Sequence, residues 1–197
     1  MSIYQFAPAS TFSYDYPYVT WTEAFTDEEL NSIREIGLAL GTSSALVDGG
    51  GNEEGAIRKT KVSWIACDTN TQWIYERLAS VCRSLNSKFY GFDLFGFSED
   101  MQFTQYESET EDHYVWHQDF TSSINTPRKL SLTLQLSDPS EYEGGELQVM
   151  TSSEPCGAEK QKGLIVGFPS WTLHRVTPVT SGKRYTLVVW VCGPTFK

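Results

Sequence analysis

The pattern that most constrains this chain is a series of short β-like segments, separated by turn residues, from about residue 99 onward. The clearest segment is LSLTLQL (Leu130–Leu136), in which leucines alternate with Ser131, Thr133 and Gln135. Alternation with period two places the leucines on one face of a strand and the polar residues on the other. One face therefore packs on a core, and the other faces water or a polar cavity. The candidate strands are Met101–Tyr106, Tyr114–His117, Lys129–Leu136, Glu146–Met150, Gly163–Phe168, Leu173–Thr177 and Arg184–Val191.

The N-terminal half carries helical signals instead. Thr26 followed by Glu29 forms a capping-box pattern, apolar residues then recur at helical spacing, and Gly41 provides the stop. A second apolar periodicity predicts a helix from about Thr71 to Asn86. Between the two helices, the run Lys59–Cys67 is predicted to be a strand.

Two helices followed by seven or more short strands predict a mostly β fold with α, in which an antiparallel double sheet carries helices on its outside. The length of 197 residues suits one domain, with a support of helices and strand over about 1–98 and a β core over about 99–193. The Gly-rich segment Val47–Ala56 is either a linker or a lid that closes over a substrate.

The charge balance excludes some functions. With 15 Lys and Arg against 25 Asp and Glu, the net charge is −10, which opposes nucleic-acid binding. No apolar run approaches the 18 residues of a membrane span, and the N-terminus has no signal-peptide pattern. The four cysteines contain no C-x-x-C pair, which predicts reduced thiols in a cytoplasmic protein, with Cys67 and Cys192 in the core.

The acidic residues are concentrated in one segment. Eight of them lie between Asp93 and Asp119, and this segment has no Lys or Arg. The segment is either solvated surface or an acidic rim that attracts a basic substrate.

Three residues form a candidate metal site. His117 and Asp119 stand two apart in H-Q-D, so a strand would point both to one side. The chain has only three histidines, and His174 is the natural third ligand. Two histidines and one carboxylate form the facial triad of non-haem Fe(II) oxygenases, which leaves positions for a cosubstrate and O₂.

Arg184 follows His174 by ten residues. The sequence between them predicts a hairpin with a turn at Thr180–Gly182, which would return Arg184 to the neighbourhood of His174. An arginine on the inward face of an apolar strand requires a fixed anion, and its planar guanidinium suits a carboxylate. A chelating 2-oxo acid with a distal carboxylate would satisfy both the metal and Arg184.

The sequence contains H-x-D, then 54 intervening residues, then H-x9-R. With this motif, it resembles the prolyl 4-hydroxylase-like, PKHD-type group of Fe(II)/2-oxoglutarate-dependent dioxygenases. The resemblance covers about half of the chain and rests on these segments: QYES (Gln105–Ser108), WHQDF (Trp116–Phe120), Arg128–Leu147 with EYEGGEL, Gly163–Tyr185 and Trp190.

The resemblance implies a double-stranded β-helix, or jelly roll, and hydroxylation of a C–H bond with release of succinate and CO₂. It implies His117, Asp119 and His174 as iron ligands and Arg184 as the partner of the distal carboxylate of 2-oxoglutarate. Ascorbate is a candidate reductant, and a prolyl residue of a protein or peptide is the leading substrate. The remaining candidate contacts to the cosubstrate are Tyr106, Thr133, Gln135 and Thr186.

Several alternatives stay open at this point. The substrate could be another protein side chain or a free amino acid. The chain could also be a non-catalytic jelly-roll binding module, or a cupin-like enzyme with another metal and no 2-oxo acid. His113 is either a surface residue or a substrate contact, and Trp116 either packs in the core or touches substrate.

Overall fold

The computed structural model describes residues 16–44, 57–120, 127–151 and 153–195, and the predicted loop Val47–Ala56 lies outside them. Two α-helices are present in these ranges, α1 (Asp27–Ala39) and α2 (Gln72–Leu85), and α2 continues into a π-helical turn at Asn86–Tyr90. The strands are β1 (Val19–Trp21), β2 (Ser43–Ser44), β3 (Arg58–Lys59), β4 (Lys61–Ile65), β5 (Gly96–Phe97), β6 (Met101–Glu107), β7 (His113–His117), β8 (Arg128–Gln135), β9 (Tyr142–Gly144), β10 (Leu147–Met150), β11 (Pro155–Gly157), β12 (Ile165–Pro169), β13 (His174–Val176) and β14 (Val179–Cys192).

Helix α1 begins and ends where its sequence signals predict. The backbone N–H of Glu29 donates to Oγ1 of Thr26 at 3.3 Å, and the N–H of Thr26 donates to Oε2 of Glu29 at 2.9 Å. This reciprocal pair satisfies two amide groups that have no partner inside the helix. After the C-cap Leu40, Gly41 has φ = 73°, a left-handed conformation that glycine adopts without strain.

The strands form two antiparallel sheets. The larger sheet has the order β1-β12-β8-β14-β6-β4-β2, and β5 and β9 also pair with β14. The smaller sheet has the order β11-β10-β13-β7-β3. Side chains of both sheets line one cavity between them. The predicted jelly-roll architecture is confirmed.

The alternation along β8 separates the core from this cavity. Leu130, Leu132 and Leu134 belong to a core that also contains Leu78 and Leu85 of α2, so the leucine face packs under the helices. The opposite face of β8 carries the polar residues of the LSLTLQL segment toward the space between the sheets. Of the two alternatives for this face, water or a polar cavity, the structure shows a cavity, which Thr133 lines.

Two sequence predictions are wrong. The hairpin between His174 and Arg184 does not form, because residues 179–182 pair with β9 and continue directly into the long strand β14. Gly182 has φ = 70° and lies so close to the backbone oxygen of Glu141 that no side chain would fit. Cys67 is exposed because β4 ends at Ile65, whereas Cys192 is buried as predicted.

Within the described ranges, neither helix combines the length and the apolar character that crossing a membrane requires.

Candidate active site

The space between the two sheets is a cavity of about 440 Å³. Strands β6, β8 and β14 of the larger sheet line one side, and strands β3, β7, β10 and β13 of the smaller sheet line the other. The cavity is closed at the buried Arg184 and open near Trp64, whose side chain is 45% exposed. It is large enough for a small-molecule ligand.

The three candidate metal ligands lie together in this cavity. His117 and His174 are direct cross-strand partners on β7 and β13, which brings two residues 57 positions apart in the sequence onto one spot. Asp119 follows β7, and its Oδ1 lies 3.7 Å from Nε2 of His117 while its Oδ2 lies 3.6 Å from Nε2 of His174. One ligand atom from each residue falls within 4.8 Å of the other two. These three side chains could hold a single metal ion.

The outward nitrogens of both imidazoles are fixed by the backbone. Nδ1 of His117 lies 2.8 Å from the carbonyl oxygen of Val115, and Nδ1 of His174 lies 2.9 Å from that of Thr172. Because a carbonyl oxygen can only accept, each Nδ1 carries a proton and donates to the backbone, and each Nε2 is the nitrogen that faces Asp119. This second hydrogen bond orients an imidazole for metal binding.

The protonation states also suit a metal ion. Burial and the neighbouring His174 lower the pKa of His117 to about 4, so this imidazole is neutral at pH 7. Burial alone would raise the pKa of Asp119, but His174, His117 and the hydroxyl of Ser131 lower it overall, so the group remains a carboxylate. Neutral imidazole and carboxylate are the forms that coordinate metal ions.

Arg184 occupies the closed end of the cavity with only 1% exposure. Its Nη2 donates to Oε1 of Gln135 at 3.0 Å, and its guanidinium carbon lies 5.4 Å from the ring centroid of Tyr106. Its Nε is buried without a hydrogen-bond partner, and no carboxylate of the described residues forms an ion pair with it. A buried cation in this state calls for an anionic ligand.

The other predicted cosubstrate contacts surround Arg184. Tyr106 is its cross-strand partner, Gln135 binds it, and Thr133 and Thr186 line the same cavity. The hydroxyl of Thr186 hydrogen-bonds that of Thr104. The structure brings all four predicted residues to one place, and their contact with a cosubstrate stays a prediction.

Sequence reasoning missed several residues of the cavity. Thr104 could have been found, because it alternates with Tyr106 along a predicted strand. Arg128 was not assigned a role, although it forms a bidentate ion pair with Glu99 at 2.7 and 2.5 Å and its guanidinium carbon lies 3.7 Å from the ring centroid of Trp190. Arg58 gave no usable signal, because it lies in a two-residue strand.

Two residues that were considered as substrate contacts lie elsewhere. His113 is half-buried in β7, where its Nδ1 lies 2.9 Å from the carbonyl oxygen of Glu111. Trp116 is half-buried and stacks with Arg175, whose guanidinium carbon is 4.7 Å from the ring centroid. Neither side chain is among the described residues that line the cavity.

The acidic segment from Asp93 to Asp119 divides into two groups. Glu99 binds Arg128, Glu107 binds two lysines, and the buried Asp112 accepts a hydrogen bond from the backbone of Glu107. With Asp119 in the metal cluster, half of the eight acidic residues have internal partners. The exposed acidic residues are Asp93, Asp100, Glu109 and Glu111. A basic substrate for this segment stays a prediction.

Comparisons with protein families and known sequences give a consistent result. A model described as the 2OG-Fe(II) oxygenase superfamily matches residues 101–192. A PKHD-type hydroxylase of Synechococcus sp. (strain CC9605) is 45% identical over 85 residues, which are 43% of this chain and 38% of the relative. A PKHD-type hydroxylase of Nitrosomonas europaea is 37% identical over 95 residues, which are 45% of this chain and 41% of the relative. The chain therefore matches about two fifths of the length of these curated relatives.

Solved structures resemble the chain over most of its length. A prolyl-4-hydroxylase of Pseudomonas putida superimposes with a TM-score of 0.72 at 17% identity, covering 92% of this chain and 95% of that one. The viral collagen prolyl hydroxylase of Paramecium Bursaria Chlorella virus-1, solved as a 2OG complex, has a TM-score of 0.69 at 22% identity and covers 91% and 97% of the two chains. At this level of identity, the likeness shows a common fold.

Proposed function

We propose that this chain, whose residues 101–192 match the model of the 2OG-Fe(II) oxygenase superfamily, is an Fe(II)- and 2-oxoglutarate-dependent hydroxylase of a prolyl residue in a protein or peptide. The observation that carries the proposal is the position of Arg184. A buried guanidinium that has no carboxylate partner in the described part of the chain shares one cavity with the cluster of His117, Asp119 and His174. A dicarboxylate that chelates a metal could bind the metal at one end and Arg184 at the other.

The side chains present fit Fe(II). Two neutral imidazoles and one carboxylate are the donor set of non-haem Fe(II) oxygenases. The hydrogen bonds of the two Nδ1 atoms hold the rings in place, so that His117 and His174 would each bind the ion through Nε2. When bound, iron with 2-oxoglutarate would supply O₂ activation, so that R–H, O₂ and 2-oxoglutarate yield R–OH, succinate and CO₂.

The residues around Arg184 fit 2-oxoglutarate. The guanidinium can grip the distal carboxylate through two parallel hydrogen bonds, one of them from its unpartnered Nε. Gln135 fixes the guanidinium from the other side, and Tyr106 covers it. Arg184 is only 1% exposed, so water would not compete with the carboxylate for the guanidinium. The ion pair would therefore be stronger than one at the protein surface.

The open end of the cavity supports a peptide substrate. Trp64 is 45% exposed there, and its ring centroid lies 6.2 Å from that of Trp190. Aromatic side chains that line a groove are a common way to bind proline-containing peptides. The solved structures with this fold include prolyl hydroxylases, one of them in complex with a peptide fragment of the hypoxia inducible factor oxygen degradation domain.

The test is turnover of the purified protein with Fe(II), 2-oxoglutarate and air in the presence of a proline-containing peptide pool. We expect succinate formation together with peptide products heavier by one oxygen atom. His174→Ala should abolish both products, whereas Arg175→Gln, one position away and outside the cavity, should retain them. If peptides bind and no succinate forms, the chain is a binding module.

The same assay identifies the group that is oxidised. If the oxidised peptides lack proline, the substrate is another side chain, and a free amino acid would be found by the same assay with amino acids in place of peptides. Ascorbate as reductant and a cytoplasmic location stay predictions.

A further inference from the structure

We propose that Arg58 binds a carboxylate of the primary substrate, so that the hydroxylated residue has an acidic group close to it in the chain. This inference rests on the proposed function, because it concerns the substrate of the same cavity. Arg58 would then help to determine substrate specificity, a role that neither the three candidate metal ligands nor Arg184 has.

Arg58 has the features of an anion site. It lies on β3 of the smaller sheet and reaches across the cavity to the larger sheet, where its Nη2 donates to Oε1 of Gln102 at 2.7 Å. Its Nε is buried and has no hydrogen-bond partner among the described residues. No carboxylate among the described residues forms an ion pair with it. Apart from Arg184, it is the cavity's one described cation that lacks such a pair, since Arg128 is bound to Glu99.

When the charges of the site with bound Fe(II) and 2-oxoglutarate are counted, the positive charge of Arg58 has no negative partner. The carboxylate of Asp119 and the chelating carboxylate of 2-oxoglutarate would balance the two charges of Fe(II). The distal carboxylate would balance Arg184, and Glu99 balances Arg128. The two imidazoles are neutral when they act as ligands. Arg58 is then the uncompensated charge in a partly buried cavity, where an ion pair is worth more than in water.

Arg58 and Arg184 contact different residues of β6. Nη2 of Arg58 donates to Gln102, whereas the guanidinium of Arg184 lies beside Tyr106, four positions further along the strand. In the proposed arrangement, the metal and Arg184 take the two carboxylates of 2-oxoglutarate. The anion at Arg58 would therefore come from another molecule.

Arg58 also lies near the reacting centre and near the opening. Its guanidinium carbon is 4.8 Å from the ring centroid of Tyr114, and that centroid is 3.4 Å from the ring of His117, so the guanidinium is at most 8.2 Å from the imidazole. Its partner Gln102 stands opposite the exposed Trp64 in the sheet. A peptide that enters here would place a neighbouring acidic side chain, or a terminal carboxylate, on Arg58.

The experiment measures peptide selection without turnover. A library with one central proline and randomised flanking positions, made with free and with amidated C-termini, is bound to the protein under anaerobic conditions with Fe(II) and 2-oxoglutarate. Mass spectrometry then compares bound and unbound fractions. We expect Asp and Glu to be enriched over Asn and Gln by about tenfold, the effect of one charge-assisted contact. Enrichment confined to free C-termini would identify the terminal carboxylate as the source.

Arg58→Gln should remove this enrichment. The matched control is Arg175→Gln, because Arg175 also binds one glutamine oxygen, of Gln148, and stacks on one aromatic ring but lies outside the cavity. This control should keep the selection for acidic flanks. The inference would be overturned if Arg58→Gln kept the selection for acidic residues, or if the wild-type protein showed no such selection. Failure of the proposed function is separate, because it appears as absence of succinate from the wild-type protein in air.

Discussion

Ser131 donates a hydrogen bond of 2.6 Å from its hydroxyl to Oδ2 of Asp119. Ser131 lies on β8 of the larger sheet, whereas Asp119 follows β7 of the smaller one, so the bond links the two sheets. The same Oδ2 lies 3.6 Å from Nε2 of His174. The hydroxyl therefore fixes the rotation of the carboxylate that faces both imidazoles.

Ser131→Ala should weaken metal binding by about 10- to 100-fold, the usual effect of losing a partner of a metal ligand. The measurement is a titration of the apoprotein with Fe(II) under anaerobic conditions, or with Mn(II). Ser63→Ala is the control, because its buried hydroxyl donates to the carbonyl of Gly37, away from the cluster. Equal metal affinity in both variants would show that Ser131 does not position Asp119.

Arg184→Gln should raise the KM for 2-oxoglutarate by at least about 30-fold, because removing one partner of a buried ion pair costs about 2–5 kcal/mol. Arg184→Lys should recover only part of this loss, since an ammonium group cannot form the bidentate contact. The assay is succinate formation at saturating Fe(II).

The control for this series is Arg34→Gln. Arg34 also stacks on an aromatic ring, that of Tyr185 at 4.2 Å, but it pairs with Glu141 outside the cavity. Its KM for 2-oxoglutarate should stay at the wild-type value. A wild-type KM in Arg184→Gln would contradict the assignment of the distal carboxylate.

Glu107 links three strands through two lysines. Its carboxylate lies 2.6 Å from Nζ of Lys61 on β4 and 2.7 Å from Nζ of Lys183 on β14. The hydrogen bonds from Lys183 and Lys61 lower its pKa from 4.5 to about 2. A lowered pKa in the folded state adds stability that is fully present above the normal value and is lost as the pH falls toward 2.

Glu107→Gln should therefore lower the free energy of unfolding by about 1–2 kcal/mol at pH 7, an amount reduced because water reaches the partly exposed side chains of both lysines. The difference from wild type should shrink as the pH falls from about 4.5 to about 2. Urea unfolding curves at pH 7 and pH 3 measure it. A gap that is the same at both pH values would exclude the ionised carboxylate as its source.

Gly37→Ala should destabilise the protein although alanine favours helices. A methyl group at Gly37 would lie within 2.3–2.7 Å of the ring of Phe103, which is fully buried. Overpacking of this kind costs about 1–3 kcal/mol, which exceeds the helix-propensity gain of about 0.5–1 kcal/mol. Thermal unfolding should show a lower Tm than for wild type, whereas Glu35→Ala on the exposed face of α1 should not. A Tm at or above the wild-type value would contradict the close packing.

Local signals in the sequence predicted much of the fold. The capping box at Thr26 and the glycine at Gly41 are contacts within one turn of chain, so they are readable without the rest of the molecule. The same is true of the alternation in Leu130–Leu136, which depends only on the geometry of a strand. These signals fail where pairing is long-range, as in β14, whose residues 179–182 form a ladder with β9 in place of the predicted turn.

The sequence by itself determined the chemical groups of the site. H-Q-D, His174 and Arg184 are rare side chains at a characteristic spacing, and their types indicate a metal and a carboxylate. Only the tertiary structure decided which groups meet across the cavity, because the cross-strand pairing of β7 with β13 joins the two histidines and the approach of the two sheets brings Ser131 to Asp119 and Arg58 to Gln102. Such contacts depend on sheet register and on the distance between the sheets. Neither quantity can be predicted from a local pattern of residues.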